Sequence, residues 1–435
     1  MTLFTDLGLA EPVLRAVAAE SYTTPTPIQA KAIPIILEGH DMVGIAQTGT
    51  GKTAAFVLPL LHRLANDVSR PADRTCRILI LAPTRELVQQ IAESARTYGK
   101  FVRPSIAVVI GGAKHGPQAK QMLRGVDLLV ATPGRLLDHM GTGAIRLDQT
   151  TTVVLDEADQ MLDMGFIPAI RQILARLPST RQTMLLSATM PKPIRALASE
   201  FLANPREIAV SAESRPIERI DQQVILLSAN DKRAKLVELL AVPEMNRAIV
   251  FTRTKHGADK VTQHLEAAGL PASAIHGNKS QPQRERALDW FRAGRVKILV
   301  ATDIAARGID VDGVSHIINF ELPNMPESYV HRIGRTARAG ATGIAISLCE
   351  PTELAYLRDI ERLIGRELIP GGVPHGVKRP PQNRGGQNRG GDRNNGGQHR
   401  NDNNRSGQQP RPAGQRPAGR GAQRGRHAGG GRVSG

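Results

Sequence analysis

Short apolar runs recur along the chain with helical stretches between them, and no other feature limits its fold as strongly. Continuous Val, Ile and Leu without polar alternation is typical of parallel strands that crossover helices cover on both faces. The runs form two series, separated by a stretch without periodicity. We expect strands at Met42–Ile45, Ile78–Ala82, Ile106–Ile110, Leu128–Ala131, Val153–Leu155 and Met184–Leu186, and then at Val224–Leu227, Ala248–Phe251, Ile298–Ala301, His316–Phe320 and Ile344–Leu348.

The two series predict two α/β domains with parallel sheets. The first is placed at residues 1–210 and the second at residues 222–369. Helical runs such as Lys255–Ala268 and Gln281–Arg292 separate the strands of the second series. Residues 211–221 contain Glu, Arg, Pro and Ser with little periodicity, which indicates an interdomain linker.

The last part of the chain, residues 370–435, differs in composition from the rest. Gly, Asn, Gln, Arg and Pro dominate it, and such a segment cannot offset the entropy of ordering, so we expect disorder. From Lys378 to Gly435 there are 13 Lys and Arg against two Asp, so +11 of the formal net charge of +17 lies here. This charge favours a polyanionic partner such as nucleic acid or an anionic membrane surface, and a solubilising extension is the alternative.

Other protein classes are disfavoured by cysteine usage and hydropathy. Cys76 and Cys349 are far apart in sequence, which suggests two buried thiols and neither a disulfide framework nor a metal site. No apolar run approaches the ~20 residues that span a bilayer, and Met1–Ala10 lacks the features of a signal peptide. We therefore expect a soluble cytoplasmic protein without a membrane partner.

The most specific motif follows the first expected strand. Residues 46–53 read AQTGTGKT and precede the helical run Ala54–Leu64. In a phosphate-binding loop, glycines let backbone N–H groups close around phosphate oxygens, the lysine reaches the β- and γ-phosphates and the next hydroxyl holds Mg²⁺. Lys52 and Thr53 are therefore assigned these roles. Ala46 stands where the general pattern has its first Gly, and a chance Gly-rich turn is the alternative.

An acidic tetrad, Asp156-Glu157-Ala158-Asp159, follows the expected strand at Val153–Leu155. Ligands bind at the carboxyl ends of parallel strands. One carboxylate near Mg²⁺ and another that orients or deprotonates water are what nucleoside triphosphate hydrolysis needs. Acidic tetrads on their own are more often solvated helix starts, and it is the phosphate loop that makes this tetrad a candidate site.

The tetrad reads D-E-A-D, and the chain resembles the DEAD-box RNA helicases through Gly340. The resemblance implies two tandem RecA-like domains, and the motif wording and Gly/Arg-rich tail are closest to the bacterial RhlE-like subgroup. Besides the phosphate loop and tetrad, the motifs are Pro25–Gln29, Pro83–Leu87, Gly111–Gly112, Thr132–Arg135 and Ser187–Thr189, then Thr252–Arg253, Gln281 with Arg284, Thr302–Asp310 and His331–Arg338.

The resemblance implies an ATP site. Gln29 would bond the adenine edge, Tyr22 would stack on the base and Phe4 would pack nearby. Asp156 would support Mg²⁺ through water, and Glu157 would activate the attacking water. The remaining implied site residues are Thr48, Gly49, Thr50, Gly51, Lys52 and Thr53 at the phosphates, Asp310 at the ribose, and Arg335 and Arg338 as arginine fingers from the second domain.

The resemblance also implies contacts with the RNA backbone, which position a strand without reading its sequence. The residues are Arg85, Gly112, Thr132, Arg135, Arg253, Arg284 and Thr302. A relay between the ATP and RNA sites would use Asp159, Ser187, Thr189 and His331. Any one of these arginines could be an ordinary surface charge. Aromatic residues are 3% of the chain, which disfavours stacking platforms and suggests that Trp290 packs in a core.

The implied activity is RNA-stimulated ATP hydrolysis that locally unwinds short RNA duplexes or remodels RNA–protein complexes. An ATP-gated RNA clamp or chaperone and a DNA helicase are the alternatives. Ribosomal or RNA-decay assemblies are candidate partners, and the core is expected to be monomeric. The chain departs from the family at two small residues: Ser21 stands where Gly often precedes the aromatic residue, and Ala337 replaces the usual Gly between the final arginines.

Overall fold

Two parallel α/β sheets form the fold of the computed structural model, which confirms the expected fold class. It describes residues 2–47, 49–67, 69–210, 219–243, 245–306, 311, 313–337 and 341–369. The expected tail at 370–435 and most of the expected linker lie outside these residues. Within them, no helix is long and apolar enough to cross a membrane.

The first sheet has the strand order β3-β4-β2-β5-β6-β1-β7, and every pairing is parallel. Its strands are β1 (Met42–Ile45), β2 (Cys76–Leu81), β3 (Ile106–Val109), β4 (Val126–Ala131), β5 (Thr152–Leu155), β6 (Gln182–Ser187) and β7 (Arg206–Ala209). Its helices are α1 (Glu11–Ala19), α2 (Pro27–Leu37), α3 (Lys52–Asn66), α4 (Arg85–Tyr98), α5 (His115–Met122), α6 (Pro133–Gly141), α7 (Ala158–Asp163), α8 (Ile167–Leu174) and α9 (Lys192–Phe201).

The second sheet has the order β10-β11-β9-β12-β13-β8, again all parallel. Its strands are β8 (Ile220–Leu226), β9 (Ala248–Thr252), β10 (Ala272–Ile275), β11 (Ile298–Thr302), β12 (His316–Asn319) and β13 (Gly343–Cys349). Its helices are α10 (Lys232–Leu240), α11 (Lys255–Ala267), α12 (Gln281–Arg292), α13 (Asp303–Ala306), α14 (Pro326–Ile333) and α15 (Leu354–Ile364).

Burial explains why the apolar runs became strands. Every residue of β5 and β6 is buried, because helices cover both faces of the sheet. One core cluster joins the sheet to α1–α4 and another joins it to α6–α9. The expected buried thiols, Cys76 and Cys349, are both buried and free.

The sequence missed or shortened the edge strands. β7 and β10 lie at edges of their sheets, and their exposed or small residues give no continuous apolar run. The expected linker extends too far, because β8 begins at Ile220. Ile220 and Gln222 point inward while Asp221 is exposed, and Gln222 accepts a hydrogen bond from the buried Tyr329 hydroxyl (3.0 Å).

The expectation for Trp290 is wrong. Its side chain is 40% exposed, whereas the adjacent Phe291 is fully buried. The buried residues of α12 include Arg284, Leu288 and Phe291, which share a face at helical spacing, and one residue along a helix turns the side chain by about 100°. Trp290 therefore points away from the core.

Backbone geometry gives the two departures from the family's glycines a physical meaning. Ser21 has φ +61° and Ala337 has φ +56°, in the left-handed region where a Cβ is strained. Both residues are small, yet each holds a conformation that glycine adopts without strain.

We predict that Ser21→Gly and Ala337→Gly each raise the free energy of unfolding by about 0.5–1 kcal/mol, because relief of left-handed strain exceeds the added freedom of the unfolded chain. Ala196→Gly, at an exposed position inside α9, is the matched control and should lower it by about 0.5–1 kcal/mol. Denaturant unfolding of the three variants provides the measurement. A loss of stability at Ser21 and Ala337 equal to that at Ala196 would contradict the strain argument.

Candidate nucleotide and RNA site

Three neighbouring strands of the first sheet deliver the candidate motifs to one edge. β6 lies between β5 and β1, and Ile45 of β1 pairs with Ser187 of β6. The phosphate loop follows β1 and the acidic tetrad follows β5. Because the strands are parallel, their carboxyl ends meet and the motifs become neighbours.

A cavity of about 500 Å³ opens at this edge. It is lined by both domains, since Arg335 belongs to the second. The expected ATP-site residues that line it are Phe4, Tyr22, Gln29, Gly49, Gly51, Lys52, Thr53, Asp156, Glu157 and Arg335. The structure therefore brings most of the predicted ATP site together. The predicted residues Thr48, Asp310 and Arg338 lie outside the described residues.

The phosphate loop depends on a glycine at the start of α3. Gly51 has φ +90°, and a Cβ there would lie 2.5 Å from Gln29 Nε2. Lys52 is the first residue of α3 and is buried, and its Nζ donates to the Ala46 carbonyl (2.7 Å). Thr50 Oγ1 donates to the Gln47 carbonyl (2.7 Å) and does not line the cavity. The loop thus places an ammonium and a helix N-terminus beside the cavity, where both favour an anion.

Gln29 has its amide orientation fixed by two contacts. Its Oε1 accepts from Thr26 N (2.9 Å), and its Nε2 donates to the Gly51 carbonyl (3.2 Å). An amide has two donor hydrogens and two acceptor lone pairs. The two contacts use one of each, so one donor and one acceptor remain. Gln29 can therefore present a donor beside an acceptor to a ligand in the cavity.

Asp156 and Glu157 are both buried at the cavity wall. Burial raises the pKa of Asp156, and the nearby Lys52 ammonium opposes the rise. Burial and then the Asp156 carboxylate raise the pKa of Glu157 to about 7, against the opposing charges of Lys52 and Arg335. Glu157 holds a left-handed conformation (φ +51°), and its N–H donates to Asp156 Oδ1 (2.9 Å). A base with a pKa near neutrality is suited to proton transfer.

The last residue of the tetrad ties it to the loop after β6. Asp159 Oδ2 accepts from Ala188 N (3.1 Å), from Thr189 N (2.9 Å) and from Thr189 Oγ1 (3.1 Å). Ser187 Oγ accepts from Asp159 N (3.2 Å) and donates to the Thr189 carbonyl (2.7 Å). Three of the four predicted relay residues therefore form one network.

The fourth relay residue, His331, belongs to the second domain. It lies on α14 and, with Arg335, lines a small cavity beside Asp303 and Phe251. Arg335 Nε donates to the His331 carbonyl (3.2 Å). His331 therefore lies at this small cavity, and Arg335 lies both here and at the 500 Å³ cavity.

The predicted RNA contacts of the first domain cluster around one glycine turn. Gly112 has φ +78°, and a Cβ there would collide with the Arg85 guanidinium. Arg135 Nη1 donates to the Ala113 carbonyl (2.9 Å), and Thr132 is the N-cap of α6. Two guanidinium groups and a helix start therefore face the same turn.

Arg284 requires a correction, because the structure does not leave it open to an RNA strand. It is 7% exposed, and its Nε and Nη2 each lie 2.8 Å from Glu86 Oε1, a buried carboxylate of the first domain. Two further contacts join the same helices: Arg85 Nη1 donates to Gln281 (3.2 Å) and Gln89 donates to Glu285 (2.8 Å). Arg284 thus holds the two domains together in this arrangement.

Arg253 and Thr302 lie at the carboxyl edge of the second sheet. Thr302 ends β11, and Arg253 directly follows β9, which is paired with it. Arg253 is partly exposed and forms ion pairs with Glu321 (3.6 Å) and Glu353 (3.3 Å). The second domain therefore offers a fixed cation at this edge.

One wall of the nucleotide cavity is not predicted by the sequence motifs. Leu87, Gln90, Ser94 and Tyr98 of α4 line it, and the Tyr98 ring lies 6.5 Å from that of Tyr22, tilted by 57°. Their spacing of three, four and four residues is the helical repeat that starts in the Pro83–Leu87 motif. That repeat is the signal that could have found them.

The chain matches two protein families in sequence. Residues 26–197 match the DEAD/DEAH box helicase family, and residues 231–340 match the helicase conserved C-terminal domain. The DEAD-box ATP-dependent RNA helicase CshA of Geobacillus kaustophilus is 43% identical over 368 residues, covering 85% of this chain and 78% of the relative. The ATP-dependent RNA helicase CshA of Listeria monocytogenes is 43% identical over 376 residues, covering 86% and 71%.

Solved helicase structures share the fold. Saccharomyces cerevisiae Dbp5 bound to RNA and ADP BeF3 superposes with a TM-score of 0.75 at 32% identity, covering 83% of this chain and 93% of that one. Mss116p bound to single-stranded RNA and AMP-PNP gives 0.76 at 28% identity, covering 85% and 78%. A variant of Dbp5 bound to Nup159, Gle1, IP6 and ADP gives 0.56.

The sequence matches and the site geometry agree on one assignment. The two family matches lie one on each sheet, in the order in which the sheets occur along the chain, and relatives that are 43% identical over the aligned residues cover 85–86% of its length. The chain therefore belongs to the DEAD-box helicase family.

Proposed function

We propose that this protein couples ATP hydrolysis to local separation of short RNA duplexes or to remodelling of RNA–protein complexes. One observation carries the proposal: Arg335 of the second domain lines the same cavity as Lys52 and Glu157 of the first. An arginine supplied across a domain interface contributes about 10³–10⁵ in the rate of phosphoryl transfer. Hydrolysis therefore depends on domain closure, which RNA bound across both domains favours.

At the base, we propose that Gln29 reads adenine while Tyr22 stacks on the ring and Phe4 supports it. Phe4 is buried beneath the cavity and Tyr22 is half exposed, as expected for a packing residue and a stacking residue. Outside the described residues, we keep Thr48, Asp310 and Arg338 as proposed nucleotide contacts on the family resemblance alone.

Mg²⁺ fits the residues at the phosphate end. Glu157 Oε2 is buried without a hydrogen-bond partner among the described residues, and burial raises the pKa values of Asp156 and Glu157, so a cation here would offset the cost of burying the two carboxylates. Hard oxygen ligands such as carboxylates and hydroxyls are what Mg²⁺ prefers. We propose that Thr53 and, through water, Asp156 hold it, where it neutralises phosphate charge. Glu157 would then accept the proton of the attacking water.

RNA binding is proposed at the carboxyl edges of both sheets, through Arg85, Gly112, Thr132, Arg135, Arg253 and Thr302. Asp159, Ser187 and Thr189 would report nucleotide state to that edge with His331. We also keep the division into two domains, with the second starting at Ile220, the RhlE-like subgroup, a cytoplasmic location and a monomeric core as proposals. Measuring ATP turnover with and without RNA tests the central claim, and turnover that RNA leaves unchanged would overturn it.

We predict that Glu157→Gln retains ATP and RNA binding but lowers turnover by about 10²–10⁴, because the amide cannot accept the proton while the phosphate contacts remain. The closed complex should persist on RNA. The control is Glu207→Gln, at an exposed position on β7, which should turn over normally. ATP hydrolysis at saturating RNA is the measurement, and normal turnover by Glu157→Gln would remove Glu157 from its proposed role.

We predict that kcat/KM for ATP exceeds that for GTP by at least about 10², because the fixed amide of Gln29 meets the reversed donor and acceptor pattern on guanine and leaves polar groups unpaired. Gln29→Ala should lose most of this ratio. Comparable values for the two nucleotides with the wild-type protein would contradict the proposed reading of the base.

We predict that removing residues 378–435 leaves the RNA-stimulated kcat nearly unchanged but raises the RNA concentration for half-maximal stimulation. Arginines spaced singly among Gly, Asn and Gln suit counterion release from phosphates, so the full chain should show the steeper salt dependence. The slope of log K against log salt changes by about 0.7 for each phosphate contact on a single strand. RNA titrations of both proteins at several salt concentrations test this, and coincident slopes would favour a solubilising tail.

A further inference from the structure

A lysine buried in the second domain has no part in the site described so far. Lys232, the first residue of α10, is 1% exposed. Its Nζ lies 2.6 Å from Glu353 Oε2 and 2.9 Å from Glu350 Oε1, and it donates to the Phe320 carbonyl (2.9 Å). A lysine is almost never fully buried unless it is paired, and here all three contacts lie within the protein.

Glu353, in a 3-10 turn at Pro351–Glu353 after β13, is equally buried. Its Oε2 accepts hydrogen bonds from Lys232 Nζ and from Glu350 N (3.2 Å). Its Oε1 receives Leu322 N (3.1 Å) and lies 3.3 Å from Arg253 Nη2. One carboxylate thus joins α10 and the loops that follow β9, β12 and β13.

The Arg253 side chain is held on several sides. Glu321 accepts from its backbone N–H (2.7 Å) and lies 3.6 Å from its Nη2, and the Tyr356 ring lies 5.9 Å from its guanidinium carbon. Both ion pairs use Nη2. The guanidinium group has five N–H donors, so the donors on its other nitrogens remain for a phosphate. The side chain is 29% exposed, which leaves it accessible at the sheet edge.

Stability alone does not account for a buried pair of this kind. Taking an ammonium and a carboxylate out of water is expensive, and apolar residues of similar volume are often at least as stabilising. What the pair supplies is a carboxylate with a fixed position, because Lys232 holds one of its oxygens and leaves the other turned toward Arg253.

We infer that Lys232 and Glu353 are positioning residues that hold the Arg253 guanidinium at the edge of the second sheet for contact with an RNA phosphate. The inference rests on the proposed RNA contact of Arg253. Long side chains lose rotamer freedom on binding, and an arginine that is already held loses less. Lys232 and Glu353 therefore strengthen RNA binding without touching RNA or ATP.

The test is a double-mutant cycle on RNA affinity in the full chain. In Glu353→Gln, the amide keeps an acceptor for Leu322 N, and Lys232 keeps Glu350 and the Phe320 carbonyl, so the fold should persist. If the amide oxygen stays at Leu322 N, the NH₂ group of the amide faces the Lys232 ammonium. Lys232 then no longer holds the side chain that positions Arg253. The RNA concentration for half-maximal ATPase stimulation should rise about three- to tenfold, with kcat at saturating RNA unchanged.

In an Arg253→Gln background, Glu353→Gln should change that RNA concentration less than about twofold, because the group it positions is gone. A purely structural role would weaken binding equally in both backgrounds, and that result would overturn the inference. Glu238→Gln, which removes an exposed carboxylate on α10 paired with Lys235, is the matched control and should leave RNA binding unchanged.

The outcomes separate the two proposals. If Arg253→Gln alone leaves RNA affinity unchanged, the proposed RNA contact fails. If Arg253→Gln weakens RNA binding and Glu353→Gln does not, only the positioning inference fails. Should Glu353→Gln not fold, Glu353→Asp keeps the charge but is one methylene too short to reach both cations, and the same cycle with it should give the same pattern.

Discussion

The parallel direction of neighbouring strands is the constraint on which the whole site depends. β5, β6 and β1 each end in a polar loop at the same edge. Residues more than a hundred positions apart therefore meet because of the strand order, and the loops themselves need no special sequence to bring them together. Crossover helices enforce that direction. They also bury both faces of the sheet, which fixes the strand ends within a close-packed frame. The second sheet repeats the solution, and Arg253 and Thr302 lie at its corresponding edge.

A buried ion pair joins the two domains in this arrangement, and its desolvation is unfavourable. Arg284 and Glu86 approach to 2.8 Å with little exposure, and when the domains separate, water can solvate both groups. Desolvation opposes what their attraction favours, so the pair alone is a weak reason to close. It fixes the register of the closed state more than its population. Ligands that touch both domains would therefore add to the free energy of closure.

The sequence predicted the elements that continuous apolar runs or local motifs encode. It missed those that depend on alternating exposure along a strand or on tertiary contacts. Interior strands such as β5 carry unbroken apolar runs, whereas the edge strand β7 is mostly exposed and reads as a loop. The phosphate loop and tetrad are local motifs, so the sequence alone identifies them. Arg284 was misassigned because its partner, Glu86, lies 198 positions away and no spacing in the sequence points to it. Trp290 was misplaced because composition does not say which helical face is buried.

Charge balance explains why the nucleotide cavity needs its second domain. Asp156, Glu157 and Asp159 are all buried within a few residues of one another, and Lys52 is the cation that the first domain supplies among the groups acting on Glu157. Arg335 adds the second cation only when the domains are together. A nucleotide phosphate without a metal would worsen the excess of negative charge, whereas one that arrives with a divalent cation brings its own compensation. Under the proposed function, the buried tetrad would favour a nucleotide that carries a divalent cation, and it would favour the closed arrangement by the same electrostatic means.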